Sequence, residues 1–544
     1  MSNHERNRLS TRLSRWDSEC IADAYARGCW AQSTLADSLR DAAQQTPRRP
    51  VLVDGDVRLN CRQLHEQATA LAAAMSIRMP VGSVVSFMLP NWHEAAVVYL
   101  ATTLAGMVVN PILPSLRDRE LLFILEDAGS RMVFVPARFG RHDYASMMER
   151  VIAQLDRPLE VVVVRGDDAD DRHTPFASLL TPPTGAAHLP VLDPDAVRMI
   201  LYTSGTTGRP KGVLHSHNSM HALICQLREH WPVEPGDRFL VPSPIAHIGG
   251  SIYAFEGPLL LSTTAVLMDR WNADDAVRLI QAEHCTHIAG ATPFLEQLLA
   301  AARSAGTRLP GLKLFVCGGA SVSPSLIRSA AAYFERAVVT RVYGSTEVPI
   351  TTIGSPSDAG HAADTDGRAG SAQIRLVSDD GAALDGEIRA RGPQMLVGYL
   401  HPEDEVESFD GQGYFRTGDL GRWVDDAYLL ITGRAKDIII RNGENISPKE
   451  IEDLLADHPD VAEVAIVGVP DERTGERVCA AIVPTASCRP DVAVLRQYLD
   501  ARGVARFKVP EQVVICDALP KNDAGKVLKH QIKATLDKAD ETCR

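Results

Sequence analysis

Apolar residues along this chain change their spacing repeatedly, from every third or fourth position to every second. "TLADSLRDAAQQTP" (Thr34–Pro47) carries them at helical spacing and stops at the proline, and "RQLHEQATALAAAM" (Arg62–Met75) is helical again. Between them, "PVLVDGDVRLN" (Pro50–Asn60) reads as a hairpin turning at Asp54-Gly55. "SVVSFMLP" is a buried strand, "EAAVVYLATTLAG" a helix closing on Gly106, and "MVFVP" and "LEVVVV" are further short buried strands. Strand–helix alternation at this spacing predicts an α/β domain with largely parallel sheets.

The pattern changes after "YFRTGDLGRWVDDAYLLITGRAKDIII". "ISPKEIEDLLADHPDVAEVAIVGVP" gives helix then strand, "DVAVLRQYLDARGVARFKVP" another helix, and "EQVVICDALP" another strand. This self-contained run of roughly 110 residues has the size of a small domain. The expected organisation is a large N-terminal multi-subdomain α/β domain, residues 1–433, followed by a small mobile α+β domain, residues 434–544. The join falls near Gly433–Lys436.

Composition narrows the class. A chain of 544 residues is too long for one core, so two to four domains are expected. The 56 basic and 69 acidic side chains leave a net charge of -13, which argues against a nucleic-acid partner. A local basic pocket for an anion remains compatible with that balance. The most apolar run, "AAVVYLATTLAGMVVNPIL" (Ala95–Leu113), contains threonines, a glycine, an asparagine and a proline. It suits a buried helix and a strand better than stable membrane insertion. The first residues, "MSNHERNRLSTRLSRWDSE", lack the apolar core of a secretory signal. No two of the 10 cysteines form a C-x-x-C pair, so reduced thiols and a cytoplasmic location are expected. Cys317, in "LFVCGG", reads as a small core residue rather than a nucleophile. The charge run Arg165–Pro175 reads as a solvated connection rather than a metal site.

Candidate chemistry concentrates in "ILYTSGTTGRPKGVLHSH" (Ile200–His217). "AVRMILY" is a strand by its β-branched and aromatic content, and it runs straight into Thr203, Ser204, Gly205, Thr206, Thr207 and Gly208. Glycines let backbone N–H groups converge on an anion, and hydroxyls add adjustable donors. Lys211 supplies a point charge and Pro210 stiffens the exit. The combination suits a polyphosphate. It is not the Walker type, which needs adjacent Gly-Lys opening a helix. Here Arg209 and Pro210 intervene, and "GVLHSH" reads as a second strand. A glycine-rich turn would account for "SGTTG" alone, but not for ten matched positions ending in Pro-Lys-Gly.

With further motifs downstream, the chain resembles the acyl-adenylate-forming enzymes, which include acyl- and aryl-CoA ligases, luciferases and peptide-synthetase adenylation domains. "YTSGTTGRPKGV" is similar to their phosphate loop, "YGSTE" (Tyr343–Glu347) to their magnesium and nucleotide motif, and "GEIRARGPQMLVGYL" (Gly386–Leu400) to a structural signature. "YFRTGDL", "GRAKDIIIRNGENISPKEIE" and "PKNDAGKVLK" follow in the family's order. The motifs span Thr203 to Lys526, and weaker similarity reaches back to Asn110.

The resemblance implies ATP, Mg²⁺ and coenzyme A acting on a small-molecule carboxylic acid. ATP would be held by Thr203–Gly208, Lys211, Gly319, Ala320, Tyr343, Gly344, Ser345 and Thr346. Asp419 and Arg434 would take the ribose. Glu347, with Thr206, would hold Mg²⁺, and Lys526 would be the catalytic lysine, bridging the carboxylate and the α-phosphate. Lys436 falls at the family's hinge, and Gly443 on the hairpin that serves the thiol step after the small domain rotates. His247 stands where the family places a residue that flanks the carboxylate and gates the thiol tunnel.

His247, Ile248, Gly249, Tyr253 and Gly318 would line the acyl pocket. These segments carry few charges, so an apolar acid is expected, and Gly249 and Gly250 are expected to leave volume for a ring or branch. The flavour of "PIAHIGG" resembles ligases of alicyclic and medium-chain acids. Loading an aryl acid onto a carrier protein is the second reading. Against it, dihydroxybenzoate-type ligases place an asparagine after the pocket histidine, where this chain has Ile248. Lys526, Glu347 and Asp419 are all retained, which separates the chain from a catalytically silent relative. A homodimer is left open.

Overall fold

A computed structural model describes residues 18–166, 172–181, 189–203, 209–319, 322–378, 381–382, 385–442, 444–471, 473–485, 489–522 and 525–542. The helix Leu35–Gln45 starts on Thr34, whose hydroxyl accepts from the Asp37 N–H while the Asp37 carboxylate accepts from the Thr34 N–H. Asn60 and Gln63 make the same reciprocal pair at the head of Cys61–Arg78. Such caps contribute about 1 kcal/mol each, and they explain why the apolar pattern begins its helical register there. Strands Pro50–Asp54 and Val57–Asn60 form the expected hairpin.

The longest apolar run becomes the helix His93–Leu104, buried from Glu94 onward, and the strand Val108–Pro111. No helix among the described residues is long and apolar enough to cross a membrane. Tyr99 of this helix stacks on Phe255 with ring centroids 4.2 Å apart. Its hydroxyl donates to Glu256, which also pairs with the buried Arg198. Such a pair is held deep in the core only because each charge has a partner.

Two large sheets dominate. In the first, eight strands run in the order Gly398–Tyr399, Lys211–Ser216, Val197–Thr203, Val108–Pro111, Val84–Phe87, Ser130–Pro136, Glu160–Val164 and Thr174–Pro175. In the second, Pro50–Asp54, Thr264–Leu267, Arg238–Val241, His287–Gly290, Leu314–Cys317 and Val338–Tyr343 lie parallel side by side. The second sheet then continues as an antiparallel half from Thr352 to Arg434. That half departs from the largely parallel sheets the sequence predicts. Strands such as Asp385–Arg391 alternate between buried and open positions, and one-sided burial suits antiparallel pairing by short connections.

A separate five-stranded sheet, from Ile439 to Ile515, carries the helices Pro448–Leu455 and Val492–Asp500 on its own apolar core of Ile439, Ile451, Leu455, Ile466 and Leu499. The last strand of the large sheet ends at Arg434, and Ala435–Asp437 is a single tight turn between the two sheets. Cys317 is fully buried, and burial pushes its thiol up to about 12. At the start of the charge run, Arg165 pairs with Asp54 at 2.6 Å and Glu94 at 2.7 Å. Asp54, His93 and Glu94 are close enough together to hold a cation. The guanidinium of Arg165 already supplies their counter-charge.

Candidate active site

Four adjacent parallel strands of the large sheet end on one edge, and each end feeds a segment singled out in the sequence. Arg238–Val241 leads to His247–Gly249, and His287–Gly290 to "GATPF". Leu314–Cys317 leads to Gly318 and Gly319, and Val338–Tyr343 to Tyr343–Glu347. The strand interiors are sealed, whereas His247, Ile248, Gly318 and Tyr343 are half-buried and Gly249, Gly319 and Gly344 are exposed. Open α/β sheets bind their ligands in the crevice beyond the carboxyl ends of the strands.

The two pocket glycines differ. A Cβ on Gly250 would lie 2.2 Å from the Pro244 carbonyl oxygen and 2.6 Å from that of Ser243, so glycine there permits a close backbone crossing. A Cβ on Gly249 would meet nothing within 4 Å. Only Gly249 therefore leaves room beside His247, which corrects the expectation that both do. Tyr253 lies behind this rim, 5% exposed, stacked on Phe239 at 5.3 Å and Trp231 at 6.3 Å. It sits within a five-residue π-helical turn, Ile252–Glu256, a local irregularity often found at functional sites.

Asp419 and Arg434 face each other across an antiparallel ladder, so strand register alone brings them together. Arg434 Nε donates to Asp419 Oδ1 at 2.7 Å, and the Tyr343 hydroxyl donates to Oδ2 at 2.8 Å. Burial, then the neighbouring Asp419 charge, holds the Tyr343 hydroxyl protonated well beyond its usual range. Thr417 Oγ1 accepts from the Asp419 N–H at 3.0 Å and fixes the turn that presents the carboxylate.

Lys526 comes from the other end of the chain. It sits on a tight turn in which Asn522 Oδ1 accepts from the Lys526 N–H at 2.8 Å, and the Lys526 carbonyl accepts from the Asn522 N–H at 2.9 Å. Gly525 beside it has φ of +77°, and a Cβ there would stand 3.6 Å from the Pro293 ring and 3.9 Å from Ala291 Cβ. The turn therefore lies against the end of the His287–Gly290 strand. Although Lys526 keeps an exposed surface, loss of hydration and then the positive charge of Arg434 lower its pKa, with Asp419 and Asp437 opposing. Desolvation and Arg434 lower Lys436 in the same way. The two lysines, Arg434 and Asp419 thus form one electrostatic cluster assembled from both parts of the chain.

Glu347 is placed by contacts that sequence reading missed. The Tyr399 hydroxyl donates to Glu347 Oε1 at 3.0 Å, and the Glu347 carbonyl accepts from the Leu396 N–H at 2.8 Å. His215 lies 2.8 Å from the Thr346 carbonyl through Nε2. Burial lowers its pKa to about 4, so the ring is neutral at pH 7 and Nε2–H is the donor. The one sequence signal for these two was position: both lie inside quoted stretches, Ile200–His217 and Gly386–Leu400. A half-buried carboxylate with one oxygen engaged by a hydroxyl suits Mg²⁺, which takes one or two carboxylates and completes its shell with water and phosphate.

After the glycine- and hydroxyl-rich segment, Lys211 and Arg209 both meet Asp404, at 3.6 and 2.8 Å. Thr203 ends the strand that enters the loop. Ser204–Gly208, including the proposed metal ligand Thr206, lie outside the described residues, as do Ala320 and Gly443.

The family described as "AMP-binding enzyme" matches residues 39–400, and "AMP-binding enzyme C-terminal domain" matches residues 450–526. The chain is 31% identical to a medium-chain fatty-acid–CoA ligase of Escherichia coli K12, over 94% of this chain and 92% of that one. It is 32% identical to a 3-[(3aS,4S,7aS)-7a-methyl-1,5-dioxo-octahydro-1H-inden-4-yl]propanoyl:CoA ligase of Rhodococcus jostii RHA1, over 92% and 98%. The crystal structure of ATP-bound MatB from Rhodopseudomonas palustris superposes with a TM-score of 0.82 at 27% identity, covering 93% of this chain and 99% of that one.

Proposed function

Given that the chain belongs to the AMP-binding enzyme family, we propose that it is an ATP-dependent carboxylic acid:CoA ligase working through an acyl-adenylate. The observation that carries this reading is that the turn bearing Lys526 lies against Ala291 and Pro293 at one strand end, while Tyr343 at another end of the same sheet edge holds Asp419 and, with it, Arg434. A carboxylate is a poor electrophile, and its approach to a phosphate sets two anions against each other. Lys526 would bridge them, so that a carboxylate oxygen attacks the α-phosphorus while the bond to the β-phosphate oxygen breaks and pyrophosphate leaves. Asp419 would take both ribose hydroxyls, with Arg434 and Tyr343 holding the carboxylate in place. Mg²⁺ held by Glu347 would neutralise charge on the leaving phosphates.

In the second step the CoA sulfur, having lost its proton, attacks the acyl carbon and AMP departs. Residues 1–433 would form the adenylating domain and 434–544 the lid. Lys436, in the tight turn between the two sheets, would be the pivot, and Gly443 would serve the thiol step. A hinge needs only a few residues that absorb the backbone change. His247 beside the open space at Gly249 would flank the carboxylate and gate the thiol. The apolar character of this rim favours a cyclic, branched or medium-chain acid.

The test is a panel of carboxylic acids assayed for AMP and pyrophosphate, with CoA or a phosphopantetheinyl carrier as acceptor. Acid-dependent AMP release with thioester on CoA is the expected result. Release of ADP and phosphate would refute the reading, and thioester on the carrier alone would reassign the acceptor.

A further inference from the structure

Arg209 and Lys211 are the cations that should meet a polyphosphate, yet in this structure both are engaged by carboxylates. Asp404 Oδ2 accepts from Arg209 Nη2 at 2.8 Å, and Asp404 Oδ1 lies 3.6 Å from Lys211 Nζ. Asp127 Oδ1 stands 3.9 Å from Arg209 and is itself bound by His401 at 2.7 Å. Its other oxygen accepts from the Tyr202 hydroxyl at 2.7 Å. The Asp404 side chain is only 10% exposed. Two cations and two carboxylates leave the loop exit close to neutral, a poor attractor for a highly charged anion.

The strand pairing puts Asp404 there. Gly398–Tyr399 adds to the edge of Lys211–Ser216, with Val213 opposite Tyr399 and the Leu400 N–H donating to the Gly212 carbonyl at 2.7 Å. The chain then turns through Pro402–Glu405, and the Glu405 carboxylate accepts from the Tyr399 N–H at 2.9 Å. The same tyrosine holds Glu347 through its hydroxyl. One short segment therefore contacts both the phosphate-loop cations and the carboxylate proposed for Mg²⁺.

We propose that Asp404 is an exchangeable counter-ion of the phosphate loop, a positioning residue whose carboxylate yields Arg209 and Lys211 to the β- and γ-phosphates and reclaims them as pyrophosphate leaves. The proposal rests on the reading of this loop as a polyphosphate site. Asp404 keeps the cations aligned and neutralised when no nucleotide is bound, and it weakens the grip on pyrophosphate, which favours release over reversal. AMP, lacking the outer phosphates, is indifferent to it.

The experiment is calorimetric titration of full-length protein with inorganic pyrophosphate and, separately, AMP. Asp404→Asn should bind pyrophosphate about tenfold more tightly, the effect of one partly screened charge at this range, with AMP affinity unchanged. Asp404→Glu should stay near the wild-type value. The wild-type protein gives a second readout: carbodiimide labelling of Asp404, followed by mass spectrometry, should rise when pyrophosphate is added. Unchanged or weaker pyrophosphate binding by Asp404→Asn overturns the proposal, and so does labelling that does not rise. A wild-type protein that binds no pyrophosphate fails the polyphosphate reading itself, a separate outcome.

Discussion

Replacing Asp419 by Asn tests the centre of the site. The carboxylate accepts from Arg434 at 2.7 Å and from Tyr343 at 2.8 Å, and the residue is 8% exposed. An isosteric amide has one acceptor for two donors, so its NH₂ must face one of them. Each charge-assisted hydrogen bond is worth about 1.5–3 kcal/mol. Arg434 is 37% exposed, so solvent screens part of its unpaired charge and the stability loss should fall at about 1–2 kcal/mol. The proposed ribose contacts are two more bonds to the same oxygens, and an amide keeps only part of their strength. ATP affinity should therefore fall roughly ten- to a hundredfold. Acid affinity should change little, because the acyl rim is proposed at His247–Gly249. The assay is calorimetric titration of each ligand, with thermal melting to confirm folding. An acid affinity that falls more than the ATP affinity would refute the ribose assignment.

Lys526→Ala should abolish acid-dependent pyrophosphate exchange yet largely spare thioester formation from supplied acyl-adenylate; equal loss of both would count against the division of steps. Since the folded protein lowers the Lys526 pKa, adenylation should decline as pH rises through a midpoint below the ordinary 10.5 of a lysine, and Lys526→Arg should move that decline upward. Gly250→Ala should destabilise by about 1–3 kcal/mol or more by melting, because its Cβ has no space, whereas Gly249→Ala should fold normally and shift acid preference toward smaller substrates. His247→Trp should slow thioester formation from acyl-adenylate more than adenylation, and unchanged CoA kinetics would remove its gating role.

Periodicity, caps and turn residues are local physics, so the sequence by itself determined the helices at Leu35–Gln45, Cys61–Arg78 and His93–Leu104, the first hairpin, and the composition break before the small sheet. Motif order, through the resemblance to the acyl-adenylate-forming enzymes, likewise marked Asp419, Arg434, Glu347 and Lys526 as candidates. Other facts depended on distances between residues far apart in the chain. Only tertiary structure decided that Tyr399 would hold Glu347, that His215 would be a neutral donor to Thr346, and that Asp404 would sit on Arg209 and Lys211. It also decided which glycine opens the pocket, since Gly249 and Gly250 are identical neighbours in sequence. What separates them is a backbone carbonyl 2.2 Å from one Cβ position and nothing within 4 Å of the other, a packing fact that no local pattern encodes.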